Sequence, residues 1–255
     1  MNFSDLAPLL QRKHRPPKED LVICIDGRTV ELSVVRSPRA RRFILKVANG
    51  AMKIQLTMPA RARVTDALNF AHSQSDWIAE RIALMPEPVQ FVHNAVVPVR
   101  GVKHRIVSRA GSRGAVWQED GARRPLLCVA GGADHLARRV GDWLKREARV
   151  DLDEAVSRYA GALRVRPRRL SLRDQSSRWG SCSAAGTLSF SWRLVLAPPA
   201  VLDYVAAHEV AHMREMNHGA RFWGHVGRVC PHMDESREWL RAHGPDLHRY
   251  GVNAG

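Results

Sequence analysis

Hydrophobic and polar residues alternate with the two-residue period of β-strands through most of residues 20–130. Two pairs of apolar runs flank the turn-forming dipeptides Asp26-Gly27 and Asn49-Gly50, and this arrangement is typical of β-hairpins. A helical period interrupts the alternation after Thr65-Asp66, which are suited to cap a helix that continues to about residue 84. The predicted strands of this half are 21–25, 30–35, 43–47, 52–58, 89–92, 96–99, 104–107, 115–118 and 126–129.

After Gly131-Gly132 the apolar positions follow a helical period instead. A long amphipathic stripe predicts one helix over residues 135–163, and Pro198-Pro199 are placed to begin a second, apolar helix. Strict alternation between residues 188 and 196 predicts a half-buried strand directly before that second helix. Further predicted elements are a strand at 170–173 and helices at 219–230 and 233–243, the last stopped by Gly244-Pro245.

These elements predict an α+β fold in which a β-rich N-terminal portion precedes a mixed helix/sheet domain. Residues 1–19 form a basic, proline-bearing tail that we expect to be flexible. Residues 20–132 form the β-rich region with its one helix, and residues 133–250 form the second domain. The boundary is predicted at Gly131-Gly132, where the period of the apolar positions changes. No repeat of fixed period is evident.

The strongest candidate for chemistry is His208-Glu209-Val210-Ala211-His212, followed six residues later by His218. On a helix, His208 and His212 lie one above the other, so their imidazoles can share one metal ion. Glu209 lies one step round the helix, where its carboxylate can act on water without binding the metal. A catalytic zinc ion takes three protein ligands and keeps one position open, and His218 is the natural third ligand.

The third ligand has alternatives within the sequence. His218 is favoured because Asn217 and Gly219 tolerate the left-handed backbone of a turn that would bring it back toward the metal. Glu235 or Glu238 are the alternatives, as in zinc peptidases whose third ligand is a downstream glutamate. A surface helix with accidental spacing is the competing explanation of the whole motif. Chance gives the five-residue pattern in about 1 chain in 40 of this composition, and the pattern with the later histidine in roughly 1 in 900.

Composition limits the classes of protein that need to be considered. The 255 residues carry a net charge of +15, which makes nucleic acid a possible partner. No run of eighteen apolar residues occurs, so no membrane span is predicted. The first 17 residues lack the apolar core of a secretory signal. Four scattered cysteines (Cys24, Cys128, Cys182 and Cys230) indicate free thiols in a reducing compartment, and we predict a cytoplasmic location.

Several groups of residues resemble those of a known family. They are Arg178-Trp179-Gly180-Ser181-Cys182, the alternating segment 188–194, the segment 208–212, Asn217-His218 and Phe222-Trp223. Together they resemble the YgjP-like metal-dependent hydrolases, which are similar to the SprT-like zinc peptidases. The resemblance is best marked over about residues 165–245 and implies a zincin-like metallopeptidase domain. It also implies that His208, His212 and His218 bind Zn²⁺ and that Glu209 is catalytic. Metzincins carry glycine where this chain has Glu215, so a metzincin is not implied.

The expected function is therefore zinc-dependent hydrolysis of a peptide or protein substrate, with Glu209 as the general base. The predicted strand 188–196 is a candidate edge for pairing with an extended substrate, which makes Ser189, Ser191 and Arg193 candidate substrate-binding residues. We also expect residues 178–182 and this strand to form one wall of the active-site cleft.

Two other function classes stay open at the level of sequence. One is a nucleic-acid-associated SprT-like protease, which the basic charge would suit. The other is a non-catalytic, zinc-stabilised binding module, in which Glu209 would have no role as a base. A residue that stabilises negative charge on the reacting carbonyl is not evident, and Arg193, Tyr204 and His225 are its candidates.

Overall fold

The computed structural model describes residues 18–25, 27–47, 53–84, 86–111, 116–175 and 178–251. Within these ranges the chain forms eleven strands, six α-helices and two short 3-10 helices, which confirms the predicted α+β class. The elements belong to two compact units, which comprise residues 18–47 with 53–84, and residues 86–251. None of the described helices is both long enough and apolar enough to cross a membrane.

The first unit is a four-stranded sheet covered by two helices. Its elements are β1 (Lys18–Ile25), β2 (Arg28–Ser37), β3 (Ile44–Val47), β4 (Lys53–Pro59), α1 (Val64–Ser73) and α2 (Ser75–Ala83). The strand order is β1-β2-β4-β3, with β2 and β4 parallel and the two outer pairs antiparallel. Alternate strand residues such as Leu32 and Leu56 are fully buried with Ile78 of α2, as the predicted alternation requires.

The single helix predicted after Thr65 is two helices that meet at Gln74. Two serine hydroxyls beside the break bond to backbone carbonyls: Ser73 Oγ donates to Phe70 O (2.8 Å) and Ser75 Oγ to His72 O (2.5 Å). Such bonds compete with the helical hydrogen bonds and favour an interruption. The first helix also begins one residue early, at Val64.

The second unit opens with a sheet of the same topology. Its strands are β5 (Val96–Val99), β6 (Val102–Arg109), β7 (Val116–Glu119) and β8 (Leu126–Ala130). Their order is β5-β6-β8-β7, again with the central pair parallel and the outer pairs antiparallel. The two sheets therefore repeat one arrangement of strands, although the sequence shows no repeat of fixed period. The strand predicted at 89–92 is reduced to one bridge between Val89 and Tyr250.

Helix α3 (Leu136–Leu163) follows and joins this sheet to the rest of the unit. Leu136, Val140 and Leu144 of α3 share one core with Ile106 and Leu127 of the sheet. The boundary predicted at Gly131-Gly132 therefore lies inside the second unit, because apolar residues from both sides of it are buried together.

The remaining elements surround the histidine-bearing helix. They are β9 (Arg169–Arg173), β10 (Gly180–Cys182), β11 (Thr187–Ser191), α4 (Pro199–Ala211), α5 (Ala220–Val229) and α6 (Met233–Leu247). The three strands form a sheet in the order β10-β11-β9, with β10 and β11 antiparallel and β11 and β9 parallel.

Two element ends differ from the prediction. The strand predicted over 188–196 stops at Ser191, and residues 192–196 form a fully buried 3-10 helix. Ser191 Oγ accepts a hydrogen bond from Arg193 N (3.3 Å) and so caps that helix. Helix α6 continues through Pro245 to Leu247. Gly244 does not stop it but lies within the helix and packs closely: a Cβ here would lie 3.2 Å from the indole of Trp179.

Three predictions fall outside the described residues. They are the basic tail up to residue 17, the turn at Asn49-Gly50, and the first residue of the Asp26-Gly27 turn. Gly27 itself has φ +73°, the left-handed backbone that a two-residue hairpin turn requires.

Candidate metal centre and active site

Helix α4 is buried on nearly all sides, which an amphipathic surface helix would not be. It begins with Pro199 in its first turn, where the missing N–H has no partner to lose. Small residues along it, Ala206, Ala207 and Ala211, let the neighbouring elements approach closely. The helix therefore holds the side chains of its last turn at the surface of a rigid core.

The structure brings His208, His212 and His218 together. One ligand nitrogen from each histidine can be chosen so that all three lie within 4.8 Å of one another. The Nε2 atoms of His208 and His218 lie 3.1 Å apart. Ring centroids are 4.7 to 5.0 Å apart for the three pairs. His218 reaches the other two from the turn after α4, at the place its spacing predicts.

The three histidines have the features of metal ligands. His212 Nδ1 lies 3.2 Å from the carbonyl oxygen of Glu215, which fixes the proton on Nδ1 and leaves the unprotonated Nε2 to bind a metal ion. His208 Nδ1 is buried and has no hydrogen-bond partner. Burial lowers the pKa of His208 to about 4, with the other two histidines and Arg237 adding to the effect, and burial also lowers the pKa of His212. The rings of His208 and His212 are therefore neutral near pH 7, the form that binds a metal ion.

Phe222 forms the floor beneath the three imidazoles. Its ring centroid lies 4.9 Å from that of His208, 4.5 Å from His212 and 4.7 Å from His218. Trp223 beside it lies 5.8 Å from both His208 and His218. Phe222 is fully buried, so the histidines are held against the core from behind.

Glu209 lies on the core side of the same helix, only 6% exposed. Burial raises the pKa of its carboxyl to about 7, and the positive charge of Arg178 opposes this rise. Its carboxylate forms no hydrogen bond or ion pair among the described residues, so it remains available for chemistry. A buried, unpartnered carboxylate beside a metal-ligand cluster has the features of a general base.

The carboxylate of Glu209 fits against the backbone of Gly180 in β10. A Cβ atom at this position would lie 2.5 Å from Glu209 Cγ, 2.6 Å from Oε1 and 2.8 Å from Cδ. Real Cβ atoms do not approach heavy atoms so closely, so only glycine leaves room for the carboxylate where it stands. Gly180 lies in the segment 178–182 that sequence analysis placed beside the cleft.

The sheet order changes which strand can pair with a substrate. Strand β11 lies between β10 and β9, so both of its edges are already paired. The expected pairing along residues 188–196 is therefore wrong for this strand. Strand β10 is the outer strand next to Glu209, and among the described residues only one of its edges is paired.

The weak substrate-binding candidates Ser189, Ser191 and Arg193 make internal contacts instead. Ser189 Oγ lies 2.8 Å from Ser171 Oγ, and Ser191 caps the 3-10 helix. Arg193 is 6% exposed. It donates to both carboxylate oxygens of Asp174 (2.7 and 3.1 Å) and to the carbonyl oxygens of Leu247 (3.1 Å) and Tyr250 (2.6 Å).

Other sequence candidates are placed as follows. Glu235 and Glu238 are exposed on α6 and do not belong to the histidine cluster found among the described residues. Tyr204 is buried, with its ring edge toward His208 at 5.9 Å between centroids. His225 is half-buried on α5. All four cysteines are free thiols, as expected.

Sequence reasoning missed the roles of Gly180, Phe222 and Arg237 beside this centre. In the sequence, Phe222 stands out only as part of the Phe222-Trp223 pair that resembles the family, and its contact with the three imidazoles is not evident there. The contact between Gly180 and Glu209 joins residues 29 positions apart, and no local pattern predicts it. Helical spacing within α5 cannot predict that Arg237 lies over Trp223, because Arg237 belongs to the next helix.

A cluster of three histidines with a buried glutamate next to one of them in the chain, within an α+β unit, is typical of a metallopeptidase. Residues 41–243 match the family model described as "YgjP-like, metallopeptidase domain", and the chain belongs to this family. The family implies a metal ion and a peptide substrate. Among proteins with curated descriptions, none matches the sequence.

One solved structure is similar to part of the chain. It is the crystal structure of the metallopeptidase zymogen of Pyrococcus abyssi abylysin, with 19% sequence identity and a TM-score of 0.34. The match covers 40% of this chain and 99% of that chain.

Replacing Arg193 by Met should destabilise the protein by about 2–4 kcal/mol, because two buried carbonyl oxygens lose their donor. The methionine keeps most of the apolar volume, so the loss reports on the hydrogen bonds. Urea denaturation measures it, with Arg173→Met on the exposed part of β9 as the control. If Arg193→Met has unchanged stability but binds peptide more weakly, Arg193 is a substrate-binding residue, as the sequence predicts.

Replacing His218 by Ala should weaken metal binding by more than the ~10–100-fold that loss of a supporting hydrogen bond costs. Competition with a chromophoric chelator measures the affinity. Glu235→Ala and Glu238→Ala are the matched controls and should bind metal as the unaltered protein does. Loss of affinity in either glutamate variant, with His218→Ala unaffected, would make the glutamate the third ligand.

Proposed function

We propose that the chain is a zinc-dependent peptidase in which His208, His212 and His218 hold the metal ion and Glu209 is the general base. The observation that carries this proposal is the position of Glu209. Its carboxylate is buried and unpartnered one residue from a metal-ligating histidine, and it lies against the outer strand of a sheet. A structural metal site has no need for such a group.

A bound zinc ion would act as a Lewis acid, polarising water and the carbonyl of the scissile peptide bond. The proton chemistry belongs to Glu209. With its pKa raised to about 7 by burial, the carboxyl can both accept a proton from water and donate it later to the leaving amine. Groups whose pKa lies near the working pH do both steps most effectively.

The other side chains orient these groups. The carbonyl of Glu215 sets the tautomer of His212, and Phe222 excludes water from behind the three imidazoles. Gly180 keeps the carboxylate of Glu209 close to the backbone of β10. Each of these contacts fixes a reacting group before substrate arrives, which is how an active site lowers the cost of orientation.

We infer that an extended peptide pairs with the free edge of β10. Backbone N–H and C=O groups of an outer strand are a ready template for an added strand. Residues 180–182 are also the strand that contacts Glu209, so a peptide on that edge would pass beside the base. The excess of basic residues alone does not favour a nucleic-acid-associated peptidase over one that acts on free peptides.

Replacing Glu209 by Gln should lower peptide hydrolysis by about 10²–10⁴-fold, the usual contribution of a positioned general base. The amide keeps the size of the side chain but cannot accept the proton. Zinc content should stay at the unaltered value, because Glu209 is not among the histidine ligands. Peptide cleavage and metal analysis on the same purified sample measure both effects.

Three possible roles of Glu209, as general base, as metal ligand or as neither, give different results in this experiment. Loss of hydrolysis with zinc retained supports the general base. Loss of zinc together with activity would make Glu209 a ligand. Full hydrolysis with zinc retained would end the proposed mechanism.

Replacing Gly180 by Ala should lower hydrolysis by about 10–10²-fold without loss of zinc, because the new methyl group displaces the carboxylate of Glu209. A misplacement of about 1 Å in an active site can have an effect of this size. Ser181→Ala is the matched control, since neighbouring residues of a strand face opposite sides. Equal activity of both variants would show that the contact with Gly180 does not position Glu209.

A further inference from the structure

Arg237 of helix α6 lies at the edge of the metal centre. Its guanidinium carbon lies over the indole of Trp223, 5.2 Å from the ring centroid. That indole lies 5.8 Å from the rings of both His208 and His218. One aromatic ring therefore connects the guanidinium to two of the three metal-binding imidazoles.

The charge of Arg237 is available to a ligand. Among the described residues no carboxylate lies within 4 Å of its guanidinium, and its contact is the face of Trp223. An aromatic face holds a guanidinium by a cation–π interaction but does not satisfy its five N–H donors. By contrast, Arg241, one helical turn further along α6, lies 3.5 Å from the carboxylate of Glu238.

Both arginines near the centre are exposed. Arg237 lies on α6, and Arg178 precedes β10, whose Gly180 contacts Glu209. Neither arginine forms an ion pair among the described residues.

On the basis of the proposed peptidase function, we propose that Arg237 is a specificity-determining residue that binds a carboxylate of the peptide substrate close to the scissile bond. A planar guanidinium binds a carboxylate through two parallel hydrogen bonds. The indole of Trp223 beneath it offers an apolar surface to the methylene groups of a glutamate side chain. The ligand is therefore a carboxylate on a peptide, supplied either by an acidic side chain or by the C-terminus.

The expected preference is moderate because Arg237 is exposed. Solvent and salt weaken exposed charge pairs, whereas a guanidinium–carboxylate pair with two hydrogen bonds is among the stronger polar contacts. We expect kcat/KM to be roughly 10-fold higher for a peptide with the correctly placed glutamate than for the same peptide with glutamine. Raising the ionic strength should reduce this ratio toward one.

The test is a set of otherwise neutral peptides, amidated at the C-terminus, in which one glutamate or glutamine is moved through the positions around the cleaved bond. Arg237→Gln should reduce the Glu/Gln ratio of kcat/KM to about one, and a general change in activity cancels because the ratio is taken within each variant. Arg237→Lys should keep part of the preference. Arg241→Gln, on the same helix face but already paired, is the matched control and should keep all of it.

A charge exchange makes the test specific. Arg237→Glu should disfavour the glutamate peptide and favour the peptide with lysine at the same position. A further neutral peptide with a free C-terminal carboxylate distinguishes the two sources of the ligand. If only that peptide depends on Arg237, the carboxylate is the chain end; if the internal glutamate does, it is a side chain.

The same peptides bound to Glu209→Gln protein separate this proposal from the proposed function. Fluorescence anisotropy measures binding without any cleavage. Tighter binding of the glutamate peptide, lost in the Glu209→Gln/Arg237→Gln double variant, supports the role of Arg237 even if no peptide is cleaved. The role of Arg237 would be overturned if the glutamate and glutamine peptides bind equally at every position. If the peptides are cleaved, equal rates of cleavage would be required as well.

Discussion

The packing of the Glu209 carboxylate against the backbone of Gly180 is the contact on which the rest of the site depends. An ionisable group is costly to bury without a partner, yet Glu209 is 6% exposed and its carboxylate forms no hydrogen bond with the described residues. The result is a carboxyl with its pKa raised to about 7. Because helix α4 also carries His208, and His212 ends it, the same approach of helix to strand brings β10 close to the helix turn that bears the histidines.

Strand β10 must itself be held in place for this contact to matter, and several interactions hold it. Trp179, the residue before Gly180, accepts a hydrogen bond from Ser191 N at its carbonyl (2.8 Å). Its indole packs on Gly244 of α6 and stacks on the ring of His248 at 4.9 Å.

Arg193 completes this support from the other end of the same segment. It binds the carbonyls of Leu247 and Tyr250 and so fixes the chain that carries His248. In the sequence, Arg193 alternates with apolar residues as the serines before it do, and this pattern predicts an exposed side chain that could contact substrate. In the folded chain Arg193 is buried and acts on the position of the active-site strand through Trp179 and His248.

The sequence predicts local features well and long-range ones poorly. The helical spacing places His208, Glu209 and His212, and turn residues place His218, because these depend on a few neighbouring residues. Alternation predicts most strands of both four-stranded sheets. It fails at residues 192–196, where alternating apolar residues are all buried in a 3-10 helix, and it cannot show that β11 is a central strand. Pairing between strands, and the approach of Gly180 to Glu209, join distant parts of the chain.

The walls of the histidine centre belong to the core of the second unit. Phe222 touches all three imidazoles and is fully buried, and helix α4 shares its core with α3, α5 and the β9–β11 sheet. A small zinc module lacks such a core and folds only with its metal. Here the unit buries large residues such as Phe190 and Leu163, so we expect it to fold without its metal. In the function proposed above, the ion therefore has a chemical role and not a structural one, and such a role requires an open position beside Glu209.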